Sequence, residues 1–334
     1  MKVKCVVAEE RNRVVVGSFN LREASEGEVL VKTLFSTISP GTELRCLAGN
    51  EPNAGRFPMI TGYSLAGKVL RGAGTIQEGD LVFLNGTSVC PAGISSSWGG
   101  HISHAIASVS QAVKLPKDID PKMASALSML SIAMHGVCRS APLPGDNVLV
   151  AGQGLIGQFA ARFMKMAGCR VAVCDPVMFR LDTARRMGMD LTYQVSSGWQ
   201  DKFRGDFPDG VDILIDATGS PQAVAANAPL LRAKSWENPY QPSPKLVLLA
   251  SYPGNIILDY QETLFNKELK IVTCRTYLPH ERERVIRLLA EKSLDITPLL
   301  TATMPADEAA EAFRLLREDA SRHITIVLDW SGAT

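Results

Sequence analysis

The first third of the chain carries short runs of apolar and β-branched residues separated by glycine and proline. The runs 28–39 (EVLVKTLFSTIS), 64–70 (SLAGKVL) and 79–86 (GDLVFLNG) partly alternate between apolar and polar positions. Alternation of this kind is typical of strands that bury one face. In 120–140 (DPKMASALSMLSIAMHGVCRS) apolar residues recur instead at helical spacing. The pattern therefore predicts a twisted barrel or sandwich, followed by a helix.

From residue 147 onward, fully apolar runs alternate with stretches of helical periodicity. Helices are expected near 155–167, 177–187 and 221–231. Near-continuous apolar strands separated by helices indicate a parallel sheet that is covered on both faces. The strands predicted for this sheet are NVLVA (147–151), RVAVC (170–174), VDILIDA (211–217) and KLVLLAS (245–251).

The last part of the chain interrupts this alternation of strands and helices and then resumes it. The stretch 232–244 (RAKSWENPYQPSP) is rich in proline and polar residues, so we expect an exposed loop. An amphipathic helix is expected over 281–293 and a closing strand over 324–330. These last elements are expected to rejoin the first domain.

The strongest motif of the sequence lies in residues 147–175 (NVLVAGQGLIGQFAARFMKMAGCRVAVCD). Gly152, Gly154 and Gly157 form G-x-G-x-x-G between a predicted strand and a predicted helix. Such glycines permit a tight turn, close approach of the backbone to a pyrophosphate, and close packing of helix on strand. The helix N-terminus adds free N–H groups and a positive dipole end. The alternative is a structural strand–helix–strand unit with incidental glycines.

An acidic residue follows this motif at the end of the next strand. Asp175 lies 18 residues after Gly157, where a carboxylate would bind the ribose hydroxyls and repel a 2′-phosphate. NAD(H) is therefore favoured over NADP(H). Arg180 either flanks the adenosine or is a solvated helix charge. The expected cofactor-binding residues are Gly152, Gly154, Leu155, Ile156, Gly157, Asp175, Arg180 and Thr218.

The composition of the chain limits the classes of function that it can have. The chain has 334 residues, enough for two domains, with 46% hydrophobic and 21% charged residues. A net charge of +1 gives no large field for nucleic acid or an anionic membrane. No apolar run is long enough to span a bilayer, and the start MKVKCVVAEE lacks an apolar core of secretory length. Seven cysteines without a CxxC pair favour reduced thiols and a cytoplasmic location.

The order of these parts resembles the medium-chain dehydrogenase/reductase superfamily, which contains the zinc alcohol and sorbitol dehydrogenases. Residues 39–44 (SPGTEL) are similar to the family's C-G-T-D-L, and 62–69 (GYSLAGKV) to its G-H-E-x-x-G-x-V. Residues 78–82 (EGDLV) are similar to its G-D-R-V, and 144–157 (PGDNVLVAGQGLIG) to its cofactor-domain entry. The resemblance covers nearly the whole chain.

This resemblance implies an α/β fold with a GroES-like β-barrel catalytic domain and a Rossmann domain with a doubly wound parallel sheet. The catalytic domain is expected over 1–118 and 272–334, and the NAD-binding domain over 119–271. Family members commonly dimerise through the edge of the Rossmann sheet. The resemblance therefore implies a homodimer formed near 255–260 and 269–274, where an uncovered apolar edge would favour pairing.

The departures from the family pattern concern its catalytic zinc. Zinc needs cysteine, histidine or carboxylate ligands, but the corresponding positions hold Pro40, Tyr63, Ser64 and Ser128. Of the four cysteines that form a structural zinc lobe in many relatives, only Cys90 is present. We therefore expect no metal.

Without zinc, another group must polarise the substrate carbonyl or manage the proton. A phenol can donate to a developing alkoxide, so Tyr63 is the first candidate, and Thr42, at the family's substrate-binding Ser/Thr position, is the second. Arg45 is the third candidate, for a substrate anion or the cofactor phosphates. Alternatively, Tyr63 is only a packed barrel residue. The expected pocket residues are Ser64, Trp98, His101 and Ser128.

Three functions remain open at this point. The first is a zinc-independent, NAD-dependent oxidoreductase acting on a secondary alcohol or ketone of a small metabolite. The second is an enzyme that retains NAD for transient oxidation in an elimination, epimerisation or rearrangement, and the third is a non-catalytic NAD(H)-binding protein. Zinc-free quinone and enoyl reductases usually prefer NADPH, which Asp175 disfavours. The ISPGTE and GYSLAG motifs are more similar to the zinc-free branch that contains bacteriochlorophyllide a dehydrogenase.

Overall fold

A computed structural model of the chain describes residues 1–52, 54–238 and 240–333. Within them the chain forms two compact units. The first unit consists of Met1–Met129 and the chain from Arg282 onward, and the second of Leu130–Glu281. None of the helices in the described part of the chain combines the length and apolar character needed to cross a bilayer.

Strands make up most of the first unit and alternate with helices in the second. In chain order the strands are β1 (Lys2–Glu10), β2 (Arg13–Asn20), β3 (Glu28–Thr37), β4 (Met59–Ile60), β5 (Leu65–Arg71), β6 (Leu81–Leu84), β7 (Ser95–Ser96), β8 (His104–Ser108), β9 (Val113–Lys114), β10 (Asn147–Ala151), β11 (Arg170–Asp175), β12 (Leu191–Gln194), β13 (Ile213–Asp216), β14 (Lys245–Leu248), β15 (Lys270–Thr273), β16 (Leu300–Pro305) and β17 (Thr325–Asp329).

The helices range from single turns to four turns. The α-helices are α1 (Pro40–Leu47), α2 (Pro121–Ala124), α3 (Leu127–Ser140), α4 (Leu155–Met166), α5 (Met178–Arg186), α6 (Trp199–Asp206), α7 (Pro221–Asn227), α8 (Pro279–Ala290) and α9 (Ala309–Glu318). Shorter 3₁₀ segments are Val109–Gln111, Ala228–Leu230, Thr297–Leu299 and Ala306–Glu308, and Tyr260–Phe265 is a π-helix.

The first unit is built on two sheets. One has the order β2-β1-β4-β7, and the other β16-β17-β3-β5-β6-β9, with β8 also paired to β3. Strand β3 alternates between buried and partly buried residues because one face lies on the core. The largest buried side chains near helices α1 and α9 are Trp330, Phe313, Ile38 and Leu47. Strand β17 pairs with β3 and belongs to the first unit.

The second unit contains one parallel sheet in the order β12-β11-β10-β13-β14-β15. Counted from β10, this is the doubly wound order 3-2-1-4-5-6, in which ligands bind beyond the carboxyl ends of the strands where the order reverses. That point lies between β10 and β13. Both strands are almost completely buried, which explains their continuous apolar sequence.

The fold class predicted from the sequence is confirmed, and two local details differ. The helix expected over 120–140 is divided at residues 125–126 into α2 and α3. Helix α1, in the segment 40–47, was not anticipated, although Ser39 before Pro40 is a typical helix start. The loop expected over 232–244 has no helix or strand among its described residues; residue 239 lies outside them.

Candidate active site

Helix α1 carries two of the three predicted catalytic residues. Ser39 is its N-cap and Pro40 its first residue, so the chain turns sharply at the end of β3. Thr42 and Arg45 lie on this helix. Arg45 forms an ion pair with Glu51, with 3.2 Å between Nε and Oε2. The Arg45 charge is thus already paired.

Tyr63 is half-buried, and its hydroxyl donates to Ser39 Oγ at 2.5 Å. Burial raises the pKa of Tyr63 to about 12, against the opposite effect of hydrogen bonds with Ser39 and Thr42. The phenol therefore stays protonated at neutral pH and can act as a donor. The structure thus brings Tyr63 and Thr42 together. It adds Ser39, which sequence reasoning missed although the helix-start pattern would have drawn attention to it.

Trp98 forms the side of this cluster. Its ring meets that of Tyr63 edge to face, with 5.4 Å between the centroids. Its backbone has φ of +68°, a conformation that a bulky residue rarely adopts and that often accompanies function. The backbone N–H of Thr87 donates to the Trp98 carbonyl at 2.7 Å and helps to hold this conformation.

Ser64 and Ser128 are joined directly beside Tyr63. The backbone N–H of Ser128 donates to Ser64 Oγ at 3.2 Å, and Ser128 Oγ donates to the Tyr63 carbonyl at 2.5 Å. Ser128 Oγ also lies 3.0 Å from Asn85 Oδ1. Both serines are buried. They fill the interior with small hydrogen-bonded groups rather than presenting free hydroxyls.

His101 lies beneath Tyr63 rather than at a surface. It has no exposed surface, and both ring nitrogens have partners: Nε2 is 2.8 Å from Glu43 Oε2 and Nδ1 is 2.8 Å from Ser36 Oγ. Glu43 is equally buried and also accepts from Thr61. The contacts of His101 are therefore internal, unlike those expected of a pocket residue.

The residues at the family's metal positions do not fit a catalytic zinc ion. Proline offers no side-chain donor, and tyrosine and serine hydroxyls are poor zinc ligands. The hydroxyls of Tyr63 and Ser128 are moreover engaged in hydrogen bonds with oxygen acceptors. In the described ranges, no group of three or more His, Cys, Asp or Glu side chains is arranged to hold a metal.

The glycine-rich turn of the second unit fits a dinucleotide. It joins β10 to α4, and Gly154 caps the helix without a side-chain hydrogen bond. A Cβ atom on Gly154 would meet nothing within 4 Å, whereas one on Gly157 would lie 1.8 Å from the Gly152 carbonyl oxygen. Gly157 thus permits close packing, and Gly154 leaves open space at the helix N-terminus for a phosphate. Leu155 and Ile156 form the first turn, and Thr218 packs against Gly152.

Asp175 ends strand β11, as predicted, and it is already held by the backbone. Its Oδ2 accepts from the N–H of Gln153 at 2.7 Å, and its Oδ1 from that of Val177 at 2.8 Å. Each carboxylate oxygen can accept a second hydrogen bond. Arg180 Nη1 lies 3.7 Å from Asp175 Oδ2, and its buried Nε has no hydrogen-bond partner among the described residues.

Comparison with known proteins gives concordant results. A family model described as zinc-binding dehydrogenase matches residues 156–291. L-threonine 3-dehydrogenase of Pyrococcus horikoshii is 28% identical over 333 residues, covering 90% of this chain and 91% of that protein. The 2-desacetyl-2-hydroxyethyl bacteriochlorophyllide A dehydrogenase of Rhodobacter capsulatus is 26% identical over 340 residues, covering 100% of both.

A solved structure matches the fold over almost the whole chain. The crystal structure of a short chain alcohol dehydrogenase from E. coli with NADH has a TM-score of 0.84 at 20% identity, covering 98% of this chain and 99% of that one. The family model, these relatives and this fold together support an NAD(P)-dependent oxidoreductase of the alcohol dehydrogenase type. More particularly, the chain is similar in sequence and fold to the medium-chain dehydrogenase/reductase superfamily.

Proposed function

We propose that this chain is a zinc-independent, NAD(H)-dependent oxidoreductase that transfers hydride between nicotinamide and a secondary alcohol or ketone of a small metabolite. The proposal assigns the substrate oxygen to Tyr63 and Thr42. The observation that carries it is the phenol of Tyr63, which takes a position used for a metal ligand in the family. This phenol is half-buried and hydrogen-bonded to Ser39.

The two hydroxyls have separate tasks in the proposed reaction. Bound nicotinamide would supply or accept the hydride at its C4 position. In ketone reduction, the hydroxyl hydrogen of Tyr63 turns from Ser39 to the substrate oxygen and is transferred to it, and the phenolate recovers a proton from water. Thr42 donates a hydrogen bond to the same oxygen and stabilises its developing charge. Alcohol oxidation reverses these steps.

Charged neighbours tune the phenol in opposite directions. The carboxylate of Glu43 raises the pKa of Tyr63, and the guanidinium of Arg45 lowers it. Arg45 enters the proposal in this electrostatic role because its side chain is paired with Glu51. Trp98, Ser64 and Ser128 are proposed to shape the pocket beside the phenol, and His101 to support it from beneath.

The second unit is proposed to hold NAD rather than NADP. The open N-terminus of α4 would bind the pyrophosphate. Asp175 would accept from the ribose hydroxyls with its remaining lone pairs, and Arg180 would lie against the adenosine. A 2′-phosphate beside this carboxylate would be repelled.

The names of the relatives support the substrate class. L-threonine 3-dehydrogenase and 2-desacetyl-2-hydroxyethyl bacteriochlorophyllide A dehydrogenase are both dehydrogenases of hydroxyl-bearing compounds. We extend to this chain only the feature their substrates share, a hydroxyl group to be oxidised. A cytoplasmic location is part of the proposal, since all seven cysteines are free thiols.

A homodimer is also part of the proposal. Strand β15 ends the parallel sheet, and its Ile271 is 47% exposed. An edge strand with apolar exposed residues is suited to pairing with another strand. The preceding segment adds Ile257, which is also largely exposed.

Native mass spectrometry of the protein as purified, without added metal or nucleotide, is the first test. A metal-free protein that exchanges NAD readily supports the proposal. Tightly retained NAD would support an enzyme that uses transient oxidation instead. Stoichiometric zinc would overturn zinc independence.

The second test is the reaction itself. With NAD⁺ and a panel of secondary alcohols that includes L-threonine, Tyr63→Phe is expected to lower kcat by ~10²- to 10⁴-fold, the usual contribution of a positioned proton donor. Nucleotide affinity should be kept. Tyr240→Phe is the matched control, because Tyr240 is 94% exposed. Nucleotide binding without turnover of any alcohol or ketone would favour a non-catalytic NAD(H)-binding protein.

A further inference from the structure

A fully buried carboxylate lies under the proposed catalytic phenol. Glu43 has no exposed surface. Its Oε1 accepts from the backbone N–H of Ser39 at 2.8 Å, and its Oε2 accepts from Thr61 Oγ1 at 2.9 Å. Its Oε2 is also 2.8 Å from His101 Nε2. A carboxylate has about four lone-pair sites, so it can accept all three hydrogen bonds.

The direction in which hydrogen bonds are donated along this network follows from Trp330, at the end opposite Glu43. The indole Nε1 of Trp330 can only donate, and it donates to Ser36 Oγ at 2.9 Å. The hydroxyl hydrogen of Ser36 then has His101 Nδ1, at 2.8 Å, as its acceptor. His101 must carry its own hydrogen on Nε2 and donate it to Glu43. This is the arrangement that leaves no hydrogen of the buried chain unpaired.

The same carboxylate holds Ser39 directly and the segment that leads to Tyr63 through Thr61. One oxygen fixes Ser39 through its backbone. The other fixes Thr61, two residues before Tyr63. The chain between them is tightly packed, because a Cβ atom on Gly62 would lie 2.8 Å from the His101 ring. Neither Ser39 nor the backbone leading to Tyr63 can shift without breaking a bond to Glu43.

We propose that Glu43 and His101 are positioning residues that fix the Tyr63–Ser39 hydrogen bond, with His101 neutral, protonated on Nε2, and donating to an ionised Glu43. This inference rests on the proposed function, in which the phenol of Tyr63 handles the substrate oxygen. Neither Glu43 nor His101 exchanges a proton with substrate, because the link from Glu43 to Ser39 runs through a backbone N–H.

The network explains why a glutamate is needed at this position. Glutamine has the same shape but places an NH₂ group where N–H and O–H donors converge. A buried donor that loses its acceptor is costly, and a small displacement of a catalytic group strongly lowers the rate. Glu43→Gln is therefore expected to release Ser39 or Thr61 and to misplace the phenol.

The first experiment tests the direction of the network by NMR of the full-length protein labelled with ¹⁵N-histidine. The expected signal for His101 is that of a neutral ring with its hydrogen on Nε2, assigned by its loss in His101→Gln. In Ser36→Ala the Nδ1 signal should shift, because its donor is removed. A charged His101 ring, or a hydrogen on Nδ1, would overturn the proposed direction.

The second experiment tests positioning without any substrate. The hydroxyl proton of Tyr63 should give a slowly exchanging downfield ¹H signal, assigned by its loss in Tyr63→Phe. In Glu43→Gln this signal should be lost while unfolding stays cooperative, and His104→Gln, a neighbouring histidine outside the network, should preserve it. Persistence of the signal in folded Glu43→Gln would overturn the positioning role. If Glu43→Gln does not fold, His101→Gln takes its place with the same expected loss.

The kinetic readout separates this inference from the proposed function. With an active alcohol, Glu43→Gln should lower kcat by ~10- to 100-fold, as loss of an outer supporting residue does, with KM for NAD⁺ unchanged. If kcat and the affinity for NAD⁺ fell by the same factor, the substitution would have damaged the protein in general. That result would contradict a positioning role. If Tyr63→Phe retains full turnover, the proposed function fails, while the two NMR results still decide the network by themselves.

Discussion

The backbone at Gly62 lies directly on the ring of His101, so that a Cβ atom there would be 2.8 Å from both Cδ2 and Nε2. Gly62 also has φ of +90°, which residues with a side chain rarely adopt. The glycine is therefore required twice, for its conformation and for the space it leaves.

Gly62→Ala should lower the free energy of unfolding more than its backbone conformation alone explains. The left-handed backbone costs ~1–2 kcal/mol, and overpacking against a buried ring adds ~1–3 kcal/mol. Gly93→Ala is the matched control, since Gly93 has φ of +80° but no atom within 4 Å of the added Cβ. Chemical denaturation measures both variants. If Gly62→Ala and Gly93→Ala lowered the free energy of unfolding equally, the His101 ring would have to move aside freely.

Asp175→Asn should weaken the preference for NAD over NADP. The substitution removes a negative charge that would face a 2′-phosphate, and even ~1.4 kcal/mol of lost repulsion changes the affinity ratio by about tenfold. Calorimetric titration with both nucleotides measures this ratio. Asp182→Asn, an exposed carboxylate on α5, should leave it unchanged. An unchanged ratio in Asp175→Asn would remove Asp175 from the proposed ribose site.

Removing metal should leave turnover and the melting temperature unchanged. The side chains at Tyr63, Ser64 and Ser128 are hydroxyls in hydrogen bonds rather than zinc ligands. The protein is incubated with a strong chelator, its zinc content measured, and its activity assayed before and after zinc is restored. Activity that disappears with the metal and returns with it would contradict zinc independence.

Ketone reduction should persist at alkaline pH where an ordinary phenol would ionise. A free tyrosine has a pKa of about 10, whereas burial raises that of Tyr63 to about 12. The protonated donor is therefore kept below about pH 12 and lost as the pH rises through that region. The dependence of kcat on pH measures this, with Tyr63→Phe as the reference. Loss of kcat with a midpoint near pH ~10 would contradict the proposal.

A charge on strand β15 should separate the proposed dimer. Ile271→Arg places a cation on the exposed edge, where charged residues discourage pairing. Leu143→Arg is the control, because Leu143 is exposed and lies outside that strand, just before a turn. Sedimentation velocity compares both variants with the wild type. A dimer that survives in Ile271→Arg would show that another surface forms it.

The fold could be predicted because its signals are local. The glycines of the turn after β10 and the apolar runs of the parallel strands are each recognised within a few consecutive residues. Asp175 is recognised by its spacing from that turn at the end of the next apolar run. Helix α1 was missed because it has only eight residues, although Ser39 and Pro40 mark its start.

The buried network could not be predicted, since its partners are far apart in the sequence. Glu43 and His101 are separated by 58 positions, and Ser36 and Trp330 by 294. No periodicity in the sequence relates residues that are so far apart. Taken alone, each of them has an ordinary structural explanation. For the same reason the sequence listed His101 among the pocket residues and gave no sign of its buried partners.

The loop 232–244 carries Trp236 with 81% of its surface exposed, whereas Trp330 is completely buried. An indole in water emits at longer wavelength than one in an apolar interior. Of the four tryptophans of the chain, these two therefore have opposite surroundings, one on an exposed loop and one in the buried network that includes Ser36 and His101. Anything that covers the loop should shift the emission of Trp236 to shorter wavelength, while that of Trp330 stays constant.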